Sequence, residues 1–267
     1  MLSVVCALVL AGSSPALRAQ GQNDHERLHQ IFRDYWEFVL RENPLLATSQ
    51  GDLRFNDRLS DESLAGYARR HDAILTFLQR LEDVHREQLD AEDRLNYDLF
   101  QGQLGWQVQE YAFGTYLEPV HQRSGFHLFL PELHERVPLR TIRQYEDYLA
   151  RLKAIPAYIE QQKALLREGL KRRRTPPRLV LKAVPQQIDA LLSVPLDDFP
   201  LYQPFKAFPD NLPEAQKHRL AALGKQVLEE KVLPAFQQFK AFFADEYIPN
   251  ASQEISASKR YPDGEAF

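Results

Sequence analysis

The chain has 267 residues, enough for one large domain or two small ones, and its 44% hydrophobic content can bury a substantial core, so disorder is not the expected state. Lysine and arginine number 33 against 37 aspartates and glutamates, a formal net charge of −4 that argues against nucleic acid as the main partner. One cysteine, Cys6, excludes an intramolecular disulfide framework.

Residues 1–19, MLSVVCALVLAGSSPALRA, differ from the rest: an apolar run from Leu2 to Ala11, then small residues, then Ala19 as the last residue before cleavage. This pattern predicts a secretory signal peptide, and its apolar run is too short to span a bilayer comfortably. Cys6 lies too close to the start, without the small residues expected before a lipid-modified cysteine. Cleavage removes Arg18 and Cys6, leaving a mildly acidic, cysteine-free mature chain, residues 20–267, that its core alone must hold together. The expected location is exported, periplasmic or extracellular, with no transmembrane span after signal removal.

The mature chain reads as helical almost throughout. Asn23 and Glu26 have capping-box spacing, and Leu28, Ile31, Phe32, Tyr35, Trp36 and Val39 form an apolar stripe that ends at Asn43-Pro44. After a loop from Leu45 to Leu59, Ser60-Asp61-Glu62 opens a second helix carrying Leu64, Ala68, Leu75, Leu78 and Leu81 to about Val84. Asp90 and Asp93 open a third, with Leu95, Leu99, Leu104, Val108 and Tyr111 as its inward stripe. Between Phe113 and Pro138 the periodicity lapses into an aromatic-rich stretch punctuated by Gly114, Pro119, Gly125 and Pro131, the kind of structured loop that lines clefts.

Thr141 and Gln144 again have capping-box spacing, and Tyr145, Tyr148, Leu149, Leu152, Ile155, Ile159, Leu166 and Leu170 follow at a period of 3.6, with Pro156 expected to kink or restart the helix. The basic run Lys171-Arg172-Arg173-Arg174 then complements a helix C-terminus. Thr175 and Pro176 predict the cap and first residue of another helix. In the proline-rich connector Pro195–Pro213, Phe199, Tyr202, Phe205 and Phe208 are expected to cover core. A last helix runs from about Pro213 to Tyr247 with Leu220, Leu223, Val227, Leu233, Phe236, Phe243 and Tyr247 inward; Pro185 and Pro234 join Pro156 as mid-helix prolines. With no strand series, the expected fold is all-α, built from long kinked amphipathic helices.

One motif carries chemistry literally. His25-Glu26-Arg27-Leu28-His29 fits HExxH, which on a helix sets two imidazoles on one face beside a glutamate that can serve as base to a zinc-bound water. A third ligand is needed, and Glu62 is the nearest candidate of a familiar type. Against this, Glu26 is already accounted for as the capping partner of Asn23, and the motif sits in a first turn close to the cleavage point, where helices fray. The match is therefore read as fortuitous, and no catalytic, cofactor-binding or metal residue is assigned. His121 and His127 flank Gly125 near Glu118, Glu132 and Glu135 without ligand spacing, His134-Glu135 lacks a second histidine, and Ser124-Gly125 lacks the glycines of a nucleophile elbow.

Several blocks carry a family resemblance, in colinear order. They are Tyr35-Trp36-Glu37 with Glu42-Asn43-Pro44, Ala47-Thr48 through Gly51-Asp52, Glu92-Asp93-Arg94-Leu95-Asn96-Tyr97-Asp98, Tyr145 through Leu152, Gln187 through Leu192, and Asp245-Glu246-Tyr247-Ile248-Pro249. In these the chain resembles the N-terminal half of the bacterial secreted family of unknown function numbered 885. The resemblance implies an all-helical fold similar to cleft-type zinc metallopeptidases, about twice this length, whose histidine and glutamate zinc motif lies in the C-terminal half. On that implication this chain is a non-catalytic half with no cofactor of its own. Its partner is the missing C-terminal half, with apolar helix faces left for it, and zinc and a peptide substrate belong to the full-length protein. The competing expectation is a standalone helical envelope protein that binds or scaffolds without catalysis.

Overall fold

The apolar periodicity becomes helices along nearly the whole chain. A computed structural model describes residues 15–261 together with Gly264 and Glu265, with side chains from Asn23 onward; the first fourteen residues of the expected signal peptide, Cys6 among them, lie outside the described residues. The principal helices are α1 (Pro15–Glu42), α2 (Pro44–Ser49), α3 (Leu64–Glu82), α4 (Ala91–Phe113), α5 (Phe126–Phe129), α6 (Ile142–Arg172), α7 (Val184–Leu192), α8 (Glu214–Val227) and α9 (Leu233–Phe242). No strand occurs among the described residues, where the one β-bridge is that of His121 with Ser124. No described helix is long and apolar enough to cross a membrane.

The chain divides into two compact units: Met1–Trp36 with Ala73–Val108, and Glu37–Asp72 with Gln109–Phe267. In the first unit Leu28, Ile31, Ile74, Phe77, Leu81, Tyr97, Phe100 and Leu104 are buried. Phe32 and Tyr35 meet Phe100 edge-on, and Tyr35 meets Phe77 likewise, the aromatic arrangement that ring quadrupoles favour. The phase of α4 differs from the expected one. Its buried residues are Asp93, Tyr97, Phe100 and Leu104, whereas Leu95, Leu99 and Trp106 are 58%, 63% and 64% exposed. Both sides of this helix are apolar, so periodicity alone could not say which side is packed.

In the second unit α6 is the central element. The Thr141 side chain accepts from the Gln144 backbone N–H while Gln144 accepts from that of Thr141, so the expected capping box forms. The helix continues through Pro156 without restarting. Its inner face, from Tyr145 to Leu166, packs with α8, α9 and the helical turn between them, and the Tyr145 and Tyr148 hydroxyls donate to the carbonyls of Pro204 and Leu201. The connector aromatics Phe199 and Phe205 are buried in the same core, with Phe208 half-buried against it. Thr175 does not open a helix: it is buried, and its hydroxyl accepts from the Ser252 backbone N–H. The next helix begins at Val184, so Pro185 lies in a first turn, where its missing N–H has no partner to lose. Pro234, by contrast, lies inside a continuous helical run, at the junction of a π-helical turn, Leu228–Val232, with α9.

A buried polar network fastens the segment after α1 to α6. Arg151 is fully buried; its Nε donates to the Arg58 carbonyl at 2.8 Å and its Nη2 to the Thr48 hydroxyl at 2.7 Å and the Pro44 carbonyl at 3.2 Å. Burial pushes the guanidinium down to about 10, against the opposing pull of Asp147 and Asp57. Asn56 is 2% exposed and links Thr48 to Asp147.

At the far end of α6, Gly169 leaves no room for a side chain, since a Cβ there would lie 2.5 Å from the Arg174 carbonyl oxygen and 2.9 Å from that of Leu117. Gly169→Ala should therefore destabilise the protein by about 1–3 kcal/mol despite alanine's better helix propensity, measured as a lowered urea midpoint with unchanged slope. Arg151→Met should cost more, about 3 kcal/mol or above, because it strands several buried acceptors at once; a variant as stable as wild type would show that water reaches them.

Candidate functional site

Helix α1 passes through Asn23 without a start there, so the capping role expected for Glu26 does not arise, and Glu26 is exposed. His25 and His29 stand one turn apart on this helix, with ring centroids 4.3 Å apart. Asp93, in the first turn of α4, faces both. One carboxylate oxygen meets His25 Nδ1, and the other lies 2.9 Å from His29 Nε2. One donor atom from each of the three residues lies within 4.8 Å of the others, and among the described residues this is the one group of three or more metal-ligating side chains so gathered.

The surroundings fix these groups from both helices. Asp90 accepts the Asp93 backbone N–H at 2.9 Å, which caps α4 and sets Asp93 in its first turn. His29 packs edge-on against Phe32, which packs edge-on against Phe100. Asp93 is 3% exposed, whereas the His25 and His29 side chains are 52% and 38% exposed, so a buried carboxylate underlies two imidazoles open to solvent. Burial raises the Asp93 carboxyl, but the hydrogen bonds from His29 and His25 outweigh it and hold the group below the ordinary 3.8, ionised at neutral pH. Beside them the buried Asp24 lies 3.2 Å from His85 Nδ1, at the edge of an open depression lined by Arg27, Glu82, Asp83 and His85.

The other sequence candidates do not join this group. Glu62, the nearest candidate for a third ligand in the sequence, accepts from the Tyr67 hydroxyl at 2.6 Å. His121 Nδ1 accepts the Arg123 backbone N–H, Glu132 pairs with Arg136, and His134 lies 3.9 Å from Glu135. His127 is buried with Nε2 3.1 Å from the Gln187 side-chain carbonyl, and burial pushes its imidazole down. Glu118 is raised by burial, although Tyr261 and Arg260 beside it favour the charged form. Ser124 lies in the turn that its bridge with His121 closes. A second open depression, lined by Leu45, Leu46, Thr48, Ser49 and Glu135 to Pro138, brings no set of titratable groups together. Asp93 was visible in the sequence only as a helix opener; its distance along the chain from the histidines hid its second role.

Comparison with known proteins places this geometry in context. The crystal structure of a "putative lipoprotein" from Colwellia psychrerythraea superposes with a TM-score of 0.80 at 16% identity, covering 91% of this chain and 44% of that one. The chain thus spans less than half the length of that structure, with which it shares the fold. No curated protein matches it significantly. The family model described as bacterial protein of unknown function, DUF885, matches residues 44–267. His25 and His29 precede that span and Asp93 lies within it. The chain belongs to the DUF885 family.

Proposed function

We propose that this chain is the N-terminal, non-catalytic half of an exported, zinc-dependent, peptidase-like hydrolase, and that its helices form one wall of the substrate cleft. The observation that carries this reading is the outer face of α4. Leu95, Leu99 and Trp106, with Gly102 between them in open space, fall at helical spacing on one side of the helix and are all exposed. A soluble chain does not ordinarily leave two leucines and a tryptophan aligned in water, and such stripes are docking faces. The occupant proposed is the C-terminal half of the same protein, in keeping with the share of the Colwellia chain that this one spans. Export is supported by the signal-like leader and by the description of that structural neighbour.

In this reading the catalytic zinc would be held by histidine and glutamate side chains of the C-terminal half, where it would polarise a peptide carbonyl and activate water. The present residues contribute shape and a dry face to the cleft. Zinc dependence and the peptide substrate come from the family resemblance.

The test is complementation between this chain and a separately produced C-terminal half encoded by the native gene. The two should form a one-to-one complex that hydrolyses peptides in a chelator-sensitive way, while this chain alone is inactive. Trp36 and Trp106, the only tryptophans, are both exposed, so complex formation should shift the emission to the blue. Leu99→Asp and Trp106→Asp should each weaken the complex at least about tenfold, or ~1.4 kcal/mol. A chain that is monodisperse, melts cooperatively and binds no C-terminal half would instead be a standalone helical envelope protein.

A further inference from the structure

We propose that His25, His29 and Asp93 form a binding site in this chain for one divalent transition-metal ion of the zinc, cobalt or nickel class. The test of this site does not depend on peptidase activity.

The donor set is the first support. Two imidazoles and one carboxylate suit borderline divalent metals, whereas calcium and magnesium favour sites built from oxygen alone. Placement is the second. The i, i+4 spacing on α1 turns both rings to one side, and Asp93 offers one carboxylate oxygen to each. A carboxylate 3% exposed, with both oxygens directed at neighbouring imidazoles, is already desolvated and aimed, so little reordering accompanies metal binding. The three donor atoms lie within 4.8 Å of one another, close enough for a single ion to reach all of them.

Support from surrounding groups is the third. The backbone bond to Asp90 and the edge contact with Phe32 hold Asp93 and His29 in place, as outer groups do around metal ligands. The half-exposed rings leave the site's outer side open, so water or a small anionic ligand would complete the coordination. Glu26 is exposed on α1, and the inference concerns binding alone, with no hydrolytic role for that residue.

The full chain, free of any affinity tag and stripped with chelator, would be titrated with cobalt(II) at neutral pH and then with zinc(II). One equivalent of cobalt should bind with visible ligand-field absorption, and zinc should displace it. His29→Ala and Asp93→Asn should weaken binding by more than ~10–100-fold, the loss seen when even outer groups are removed, while Glu26→Ala should bind as wild type does. No saturable binding by the wild-type chain, or equal binding by the His29 and Asp93 variants, would overturn the proposal. Should the Asp93 variant fail to fold, histidine NMR of the wild-type chain decides. Metal-dependent shifts of the His25 and His29 imidazoles support the site, and shifts confined to the other histidines refute it.

Discussion

The guanidinium of Arg151 is taken wholly out of water, and its Nε and Nη2 find their acceptors in the backbone and one hydroxyl of a single short segment. The Arg58 and Pro44 carbonyls and the Thr48 hydroxyl all converge on it. Because the desolvated charge is acceptable only when these groups are in place, the segment from Pro44 to Arg58 cannot drift from α6 without exposing a large penalty. The polar contact thereby specifies a register that apolar packing would leave looser. Helix α6 in turn presents the face on which α8 and α9 are packed.

The first unit is organised around a carboxylate. Asp93 stands in the opening turn of α4, where a negative charge complements the helix dipole, and it also meets two imidazoles from α1. Such double use makes the residue hard to interpret from sequence, since the capping explanation is complete in itself.

The fold class was legible in the chain, and so was the α6 capping box, because both rest on contacts within a few residues. Readings that failed needed knowledge of what lies across from a helix. Leu95 and Leu99 form as good a stripe as Tyr97, Phe100 and Leu104, and only tertiary packing chose the second set. Asn23 and Glu26 have the spacing of a cap, yet the chain before them is also helical and no cap is needed. Thr175-Pro176 resembles a helix opening, but the threonine hydroxyl is taken by Ser252, far along the chain. At the candidate metal site the histidine pair is evident from its i, i+4 spacing, whereas Glu62 is only the nearest candidate by motif type, and the carboxylate that stands beside the pair is that of Asp93. Spacing within a helix is local information; the identity of a residue on another helix is not.

The two π-helical turns, Leu228–Val232 and Phe243–Tyr247, have a consequence for how this part of the chain can change over evolutionary time. Each such turn takes in one residue more than an α-helical turn, so the helix beyond it keeps its face toward the core while the sequence position of that face shifts by one. Before the first turn Leu220, Gly224 and Val227 are buried, and after it Val232, Phe236, Phe239 and Phe243 carry the same face on at ordinary helical spacing. A single-codon deletion in the first turn would relax it to ordinary helix and improve local hydrogen bonding. It would leave the following aromatic residues facing the core, whereas a deletion within α9 would swing the residues beyond it by roughly 100°, so this region tolerates a change of length in its π-helical turns better than between them.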